Sequence, residues 1–575
     1  MINLKEILEK KVFPKISKPS RYLGNELHSI HKDLSRTDLN IVLAFPDTYE
    51  IGMSNLGLQI LYSILNERKN IAAERAYAPW PDMEEKMKEL KLPLFSLESK
   101  RPLSEFDMIG FSIQHELTYT NLLNMLDLAG IPVRSNERSE KHPIIFAGGP
   151  SSYNPLPLSA FIDFFVIGEA EEIILEIADA VIKNKSLKRS EKLDILNSID
   201  GIYVPALGEK RTGKRTIKDL DRVPYPTAPI VPFMDIVHNR AVLEIMRGCP
   251  RGCRFCQARF VTSPVRQKDR KILIDNAEKL VRNTGFEEIS LVSLSSSDYR
   301  DIKPLIEELS KKYKDKRISI SLPSLRIDSV SMEIAKAIRD VRQTSITIAP
   351  EAGTEVLRDI LNKKLPEKEI IEGVARAFEM GIQTIKLYFM IGLPGENNED
   401  LAGMIELANK ILDVGKKVHQ KRARVIINVS TFIPKPHTPF QWERQISKRE
   451  TEEKQRFLKD NSRIKGLELK WHDPAASWLE GLFSRGDKEL CNALETAWRM
   501  GARFDAWNEY FKISVWEEAL KKEGIDPENY LRERDIEAPL PWDFIDTGIK
   551  KDILKKEREK AYELINARGQ QACRG

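Results

Sequence analysis

The chain has 575 residues, 41% hydrophobic and 31% charged, with 91 basic and 86 acidic side chains for a net charge of +5. That length exceeds one ordinary core and implies about three domains, the composition excludes a disordered chain, and the near balance of charge does not by itself argue for nucleic acid. No run of about 18 apolar residues occurs and the charged opening Met1–Lys10 lacks the apolar centre of a signal peptide, so a cytoplasmic protein without a membrane span is expected.

In chain order, residues 1–39 are polar and basic and read as a helical N-terminal extension. Over 40–222 short apolar runs at Ile41–Phe45, Asp107–Ile113, Ile144–Gly148 and Phe164–Gly168, with a weaker one at Ala72–Ala78, alternate with helical patterns such as Leu56–Leu65 and Asn121–Leu128. Buried strands alternating with helices predict a parallel, doubly wound sheet, whose ligands bind beyond the carboxyl ends of the strands. The Pro-rich stretch Val223–Pro229, with Pro232 beyond it, marks a linker over 223–235.

A second alternating series fills 236–466, with apolar runs at Val242–Met246, Ile289–Leu294, Ile318–Leu322, Ser345–Ala349, Ile385–Ile391 and Val425–Phe432. Their spacing is the rhythm of repeated βα units and predicts a partial six-stranded β/α barrel, open on one side, with its chemistry at the carboxyl ends of the strands. From 467 to 575 the alternation stops. Trp471, Trp478, Trp498, Trp507, Trp516 and Trp542 sit among helical patterns, which predicts a small, mostly helical C-terminal domain with tryptophans in its core.

Five cysteines exclude a disulfide scaffold; three of them, Cys249, Cys253 and Cys256, fall within eight residues directly after the first barrel strand. On a loop flanked by Gly248 and Gly252, three thiolates at CxxxCxxC spacing can each bind one iron of a cubane cluster. The fourth iron is then open to the amino and carboxylate groups of S-adenosylmethionine. Arg247, Arg251 and Arg254 are expected to add positive charge around it. A structural zinc takes four protein ligands, and neither His238 nor Cys491 lies at finger-like spacing. Cys491 reads as a buried small hydrophobe, and Cys573 as a spare thiol or the remnant of a longer Cys-rich terminus.

This segment resembles the radical S-adenosylmethionine superfamily, whose hallmark is CxxxCxφC with φ aromatic. Here φ is Phe255, which the resemblance places near the adenine. The resemblance spans about 241–445. It implies cofactor contacts at Ser324 and Arg326 in Ser321–Arg326, at Glu351 in Ile348–Gly353, and at Gly392 in Ile391–Glu396. Relatives often carry a Gly-Gly-Glu-like stretch after the second strand to bind the methionine amine; this chain has Ser293–Asp298, and Ser295 is the candidate there. Thr431–Phe440 is similar to a stretch in methylthiotransferases and cobalamin-dependent members. Its His437 is a candidate substrate contact.

The domain before the barrel resembles the cobalamin-binding domain of class B members. Where histidine-ligating domains carry DxHxxG, this chain has Asp47-Thr-Tyr49-Glu-Ile-Gly52, with Tyr49 in the ligand position. With Ser112 and Gly148–Gly149 these form a candidate cobalamin site. The alternative is a sheet that keeps the fold and binds nothing, with Asp47 a helix cap and the glycines a turn. His115 reads as a structural histidine. The resemblance implies a 4Fe–4S enzyme that cleaves S-adenosylmethionine to a 5′-deoxyadenosyl radical, with methyl transfer if cobalamin is bound and a reductant such as flavodoxin or ferredoxin as partner. Sulfur insertion is the runner-up, weakened by the lack of a second cysteine triplet; a non-catalytic iron–sulfur sensor is the alternative from another class. No catalytic residue beyond the cofactor ligands is assigned, and RNA, protein and small-molecule substrates all remain open.

Overall fold

The computed structural model describes residues 4–322 and 345–572. A six-stranded sheet comes first, with β1 (Leu39–Phe45), β2 (Ile71–Tyr77), β3 (Met108–Ser112), β4 (Ile144–Gly148), β5 (Phe164–Val166) and β6 (Ile202–Tyr203) in the order β2-β1-β3-β4-β5-β6. The first five strands are parallel and β6 runs antiparallel to β5. Helices cover both faces, which is why the strands read as continuous apolar runs.

The weak run at residues 72–78 forms β2, buried at every position. Its pattern is broken by Glu74 and Arg75, yet both are buried. Arg75 Nη2 donates to Glu26 Oε2 at 2.7 Å and its Nε to Glu98 Oε1 at 2.7 Å, so the guanidinium enters the core fully paired. The N-terminal extension is helical only over Leu4–Lys15 and at Pro19–Tyr22. Residues 23–38 are irregular, a correction to the expected helix. Leu8, Val12 and Phe13 are buried in the adjoining core.

The second region holds two parallel sheets. One has β7 (Ala241–Glu244), β8 (Glu288–Val292) and β9 (Ser319–Ser321) in the order β9-β8-β7. The other has β10 (Ser345–Glu351), β11 (Thr384–Ile391), β12 (Arg424–Thr431) and β13 (Leu467–Trp471), in chain order. β13 is a seventh strand where the sequence pattern predicted helices. Leu467 and Leu469 face the helices, while Glu468 and Lys470 between them mask the alternation. A bulge separates Ile348 from Glu351 in the β10–β11 pairing, and Glu351 has φ 70°.

The helices Pro474–Ser484, Leu490–Arg499 and Ile513–Lys522 lie on the N-terminal sheet: Trp478, Trp498 and Trp516 share one core with Phe111, Leu122 and Phe165. The last helix, Lys551–Ala572, instead packs Ala561 and Ile565 against Leu357 and Leu361 of the barrel. Among the described residues no helix is long and apolar enough to cross a membrane.

Candidate cluster and cofactor site

After β7 the backbone pairs Met246–Arg247 antiparallel with Arg266–Gln267 and turns at Gly248, φ 82°. A Cβ there would lie 2.8 Å from the Pro264 carbonyl oxygen, so only glycine fits the turn. The loop that follows carries Cys249, Cys253 and Cys256, none of them in a disulfide, with Cys253 buried and the other two half-buried. It is pinned from the loop after β10. Arg254 N donates to Leu361 O at 3.0 Å, Arg254 Nη1 to Ile360 O at 2.7 Å, and Asn362 Nδ2 to Gly252 O at 2.9 Å.

The three arginines are not free counter-charges for a cluster. Arg247 is bound by Glu244 and Glu171, Arg251 grips Asp298 through two hydrogen bonds of 2.8 and 2.5 Å, and Arg254 pairs with Glu557 at 3.2 Å. This corrects the charge expectation: carboxylates from the preceding strand, from loops and from the last helix neutralise them, because a guanidinium withdrawn from water needs a partner. Burial, reinforced by the neighbouring Cys253, Cys249 and Glu351, pushes the Cys256 thiol up to about 11. Iron must therefore displace a proton on binding. A tetrahedral zinc would draw three sulfurs to about 3.8 Å of one another, given Zn–S distances of about 2.3 Å. Among the described residues the one three-ligand set with donor atoms within 4.8 Å is His115, Glu116 and Glu480. The three cysteine thiols do not meet that spacing.

Around this loop, Phe255 packs against the buried cluster that includes Leu393 and Phe432. Ser295 is buried and its Oγ donates to Asp298 Oδ2 at 2.7 Å, so the hydroxyl is committed to the carboxylate that holds Arg251. Glu351 pairs with Lys363 at 3.1 Å, and burial raises its carboxyl above the ordinary range. Gly392, φ 82°, donates its N–H to Glu396 Oε1 at 2.9 Å, and a Cβ there would meet Ile446 at 2.7 Å; it is a turn glycine. Ser324 and Arg326 lie outside the described residues. Asp298, Asn362 and Lys363 were not singled out from sequence. Their signal was a polar residue in a loop after a barrel strand, which many surface positions share.

In the N-terminal sheet the winding reverses between β1 and β3, and a crevice forms at the carboxyl ends of the strands. A cleft of about 260 Å³ occupies it, lined by Ala44, Gly110, Ser112, Gly148, Gly149 and Glu171 among others. Of the candidate cobalamin residues, Ser112, Gly148 and Gly149 line this cleft. Asp47, Tyr49 and Gly52 do not. Asp47 accepts from Thr48 N at 2.6 Å and from Trp507 Nε1 at 3.0 Å, and burial raises its carboxyl. Tyr49 is 1% exposed and donates to Glu26 Oε1 at 2.8 Å. Gly52 packs under Tyr77, whose ring would lie 2.3 Å from a Cβ. Gly110, Gly168 and Glu171 were missed, because glycine within a strand run signals only a weakened strand.

The cleft end of this sheet abuts the cysteine loop. Glu171 lines the cleft and holds Arg247, two residues before Cys249. Glu169 binds Arg266 at 2.6 Å, and Tyr153 Oη donates to Val261 O at 3.1 Å. Lys435 lies between Glu116 at 3.0 Å and Glu480 at 2.8 Å, and His115 meets Glu480 at 3.2 Å. Buried His437 is driven down to about 4 by desolvation and, neutral, donates Nε2–H to Tyr153 O at 2.9 Å.

Residues 243–408 match the radical SAM superfamily and residues 57–205 match the N-terminal region of radical SAM proteins, between them more than half the chain. An uncharacterized protein of Methanocaldococcus jannaschii is 27% identical over 461 residues, 79% of this chain and 90% of that one. The anaerobic magnesium-protoporphyrin IX monomethyl ester cyclase of Cereibacter sphaeroides is 25% identical over 262 residues, 43% of this chain and 41% of the cyclase. Among solved structures, the radical S-adenosylmethionine methyltransferase TsrM from Kitasatospora setae, with cobalamin and a 4Fe–4S cluster bound, aligns over 68% of this chain and 72% of its own, with a TM-score of 0.49 and 13% identity.

Proposed function

The chain belongs to the radical S-adenosylmethionine superfamily, and from that premise we propose a cobalamin-dependent methyltransferase with its 4Fe–4S cluster on Cys249, Cys253 and Cys256. The observation that carries the reading is the joint at Glu171, a wall of the switch-point cleft that also holds the arm leading into the cysteine loop.

The residues present fit both groups. Three cysteines outside any disulfide would leave a cubane with one iron open to S-adenosylmethionine. Gly110, Gly148 and Gly149 bring bare backbone to the cleft at the carboxyl ends of the strands, where ligands of doubly wound sheets bind. When bound, the cluster supplies the electron that cleaves the C–S bond of S-adenosylmethionine, and cobalamin a carrier for the methyl group. Asp298 orients Arg251 on the cysteine loop, Asn362 fixes the Gly252 carbonyl, and Lys363 balances the half-buried Glu351 beside Cys256. The electron donor is proposed to be flavodoxin or ferredoxin, and the compartment the cytoplasm.

Sulfur insertion is disfavoured by the remaining described cysteine. Cys491 is buried and its thiol donates to Pro157 O at 3.3 Å. The test is anaerobic: reconstitute the cluster, reduce with dithionite, add S-adenosylmethionine, and quantify 5′-deoxyadenosine and S-adenosylhomocysteine with and without cobalamin. Both products, dependent on cobalamin and abolished by Cys253→Ala, support methyl transfer. Deoxyadenosine at equal yield without cobalamin, and no S-adenosylhomocysteine, removes it.

A further inference from the structure

Opposite the cysteine loop, at the amino ends of β12 and β13, the chain gathers cations. The segment Lys416-Lys-Val-His-Gln-Lys-Arg-Ala-Arg424 carries five lysines and arginines and no acid. The loop before β13 adds Arg463 and Lys465, and the two loops are neighbours because Val425 N donates to Gly466 O at 2.9 Å. Between them lies a groove of about 700 Å³ lined by Lys416, Lys421, Arg424, Lys465 and Glu468. Lys416 meets Asp413 at 3.4 Å and Arg463 meets Asp460 at 3.1 Å. Glu468 is taken by Lys470 at 3.1 Å. Lys421, Arg422, Arg424 and Lys465 are exposed, and no carboxylate pairs with them among the described residues.

Cations in a last helical turn complement the helix dipole. That accounts for Lys416 and Lys417, but not for Lys421, Arg422, Arg424 and Lys465, which lie beyond the helix. On the same end of the barrel, the loop before β9 exposes Lys314, Lys316 and Arg317.

The strands that form the groove continue beyond it. Ile426 and Glu468, which line it, lie on the inner face of the sheet, and the row above them is Tyr388, Asn428 and Lys470 in register. Tyr388 stands on a central strand yet is 43% exposed, so the inner face is open there. A cationic groove with an exposed ring two residues further along the strands matches a single-stranded nucleic acid, whose phosphates seek cations and whose bases stack on aromatic faces. An acidic protein surface would use the cations and leave the ring idle.

We propose that this rim binds the phosphate backbone of single-stranded nucleic acid, with bases running up the inner face over Tyr388. From Arg424 to Thr431 the path along β12 is about 23 Å at about 3.3 Å per residue, and it leads to the end where the cysteine loop sits. Only that last direction rests on the radical-enzyme reading; the binding does not.

The test uses the full-length, cluster-reconstituted protein under anaerobic conditions, with fluorescent single-stranded RNA and DNA oligonucleotides read by anisotropy between about 50 and 200 mM salt. The triple variant Lys421→Glu/Arg422→Glu/Arg424→Glu is expected to weaken binding at least about tenfold and to lower the salt slope by about 2. Tyr388→Ala is expected to weaken it about tenfold with the slope unchanged. Equal charge reversal elsewhere, Lys183→Glu/Lys188→Glu/Lys521→Glu, should leave binding intact. Tighter RNA than DNA binding identifies RNA as the ligand; equal binding supports a backbone reader. Binding must persist in the Cys249→Ala/Cys253→Ala/Cys256→Ala protein, which separates this inference from the failure of the radical chemistry. If the rim and control variants bind alike, or if polyglutamate binds where oligonucleotides do not, the proposal is overturned.

Discussion

Tyr49 donates its phenolic hydrogen to Glu26 Oε1 across 2.8 Å, and the same carboxylate receives both Arg75 Nη1 and Nη2. The residue standing where related domains place a cobalt-binding histidine is thus turned into the core, away from the cleft. Burial and the Glu26 charge hold its phenol well above the ordinary tyrosine range, so it donates as a neutral group.

Tyr49→Phe is therefore expected to cost about 1–3 kcal/mol of stability, the worth of a hydrogen bond to a charged group. Cobalamin uptake should not change, because nothing lining the cleft is lost. Urea unfolding and a cobalamin titration by absorbance measure the two effects separately. A fall in cobalamin affinity with stability intact would put Tyr49 back on the ligand.

Asp298 joins the cysteine loop to the end of β8, accepting from Arg251 and from Ser295. Asp298→Asn keeps the shape and most hydrogen bonds while removing one negative charge near the cysteines. Iron content should be unchanged. The reduction potential of the cluster should rise, by an amount on the order of tens of millivolts for a partly screened charge. Potentiometric titration followed by EPR reads the shift; a potential that stays put would show Asp298 to be purely structural.

The cysteine loop was legible in sequence because its information is local: spacing and glycines within eight residues decide what the thiols can hold. The two strands that were weak or missed share one cause. In β2 the pair Glu74–Arg75, and in β13 Glu468 and Lys470, interrupt the apolar pattern, and only tertiary partners such as Glu26 and Glu98 make the first pair tolerable in a core. Tyr49 illustrates a different limit. Its spacing from Asp47 and Gly52 fits the cobalamin pattern, but its direction is set by Glu26, 23 positions away. For the same reason sequence named Ser295 as a cofactor contact and could not see its hydroxyl committed to Asp298. The cleft glycines Gly110 and Gly168 carry no side chain to advertise a role.

Lys435, in the loop after β12, ties the barrel to Glu116 in the turn after β3 and to Glu480 of the C-terminal helices. Burial works against its charge, but the two carboxylates outweigh it and hold the lysine above its ordinary range; Lys435 and His115 in turn hold Glu480 far below its own. Lys435→Met leaves two carboxylates facing each other and is expected to lose about 3–5 kcal/mol. Glu480 contributes stability above the unfolded carboxylate range and loses it as pH falls. The variant should accordingly lose less further stability than the wild type on acidification below about pH 4.3, the ordinary glutamate value. Chemical denaturation at neutral and acid pH checks both signs.

His437, two residues on, adds a second loss of stability on acidification. Its folded value is driven down to about 4 by burial, against about 6.5 for an exposed histidine. Above pH 6.5 both states are neutral and the side chain adds no pH dependence. Between 6.5 and 4 the unfolded chain takes up a proton that the folded one refuses, so stability falls with falling pH, by up to about 3 kcal/mol. His437→Asn removes the titration and suits the backbone, since φ is 61° there and asparagine tolerates that region. At pH 7 the variant should be the less stable protein, having lost the bond to Tyr153 O. By pH 4.5 most of that gap should have closed or reversed. Urea midpoints measured across this range would run parallel for the two proteins if His437 were open to solvent, and converge if the junction between the cleft and the cysteine loop is as dry as its packing indicates.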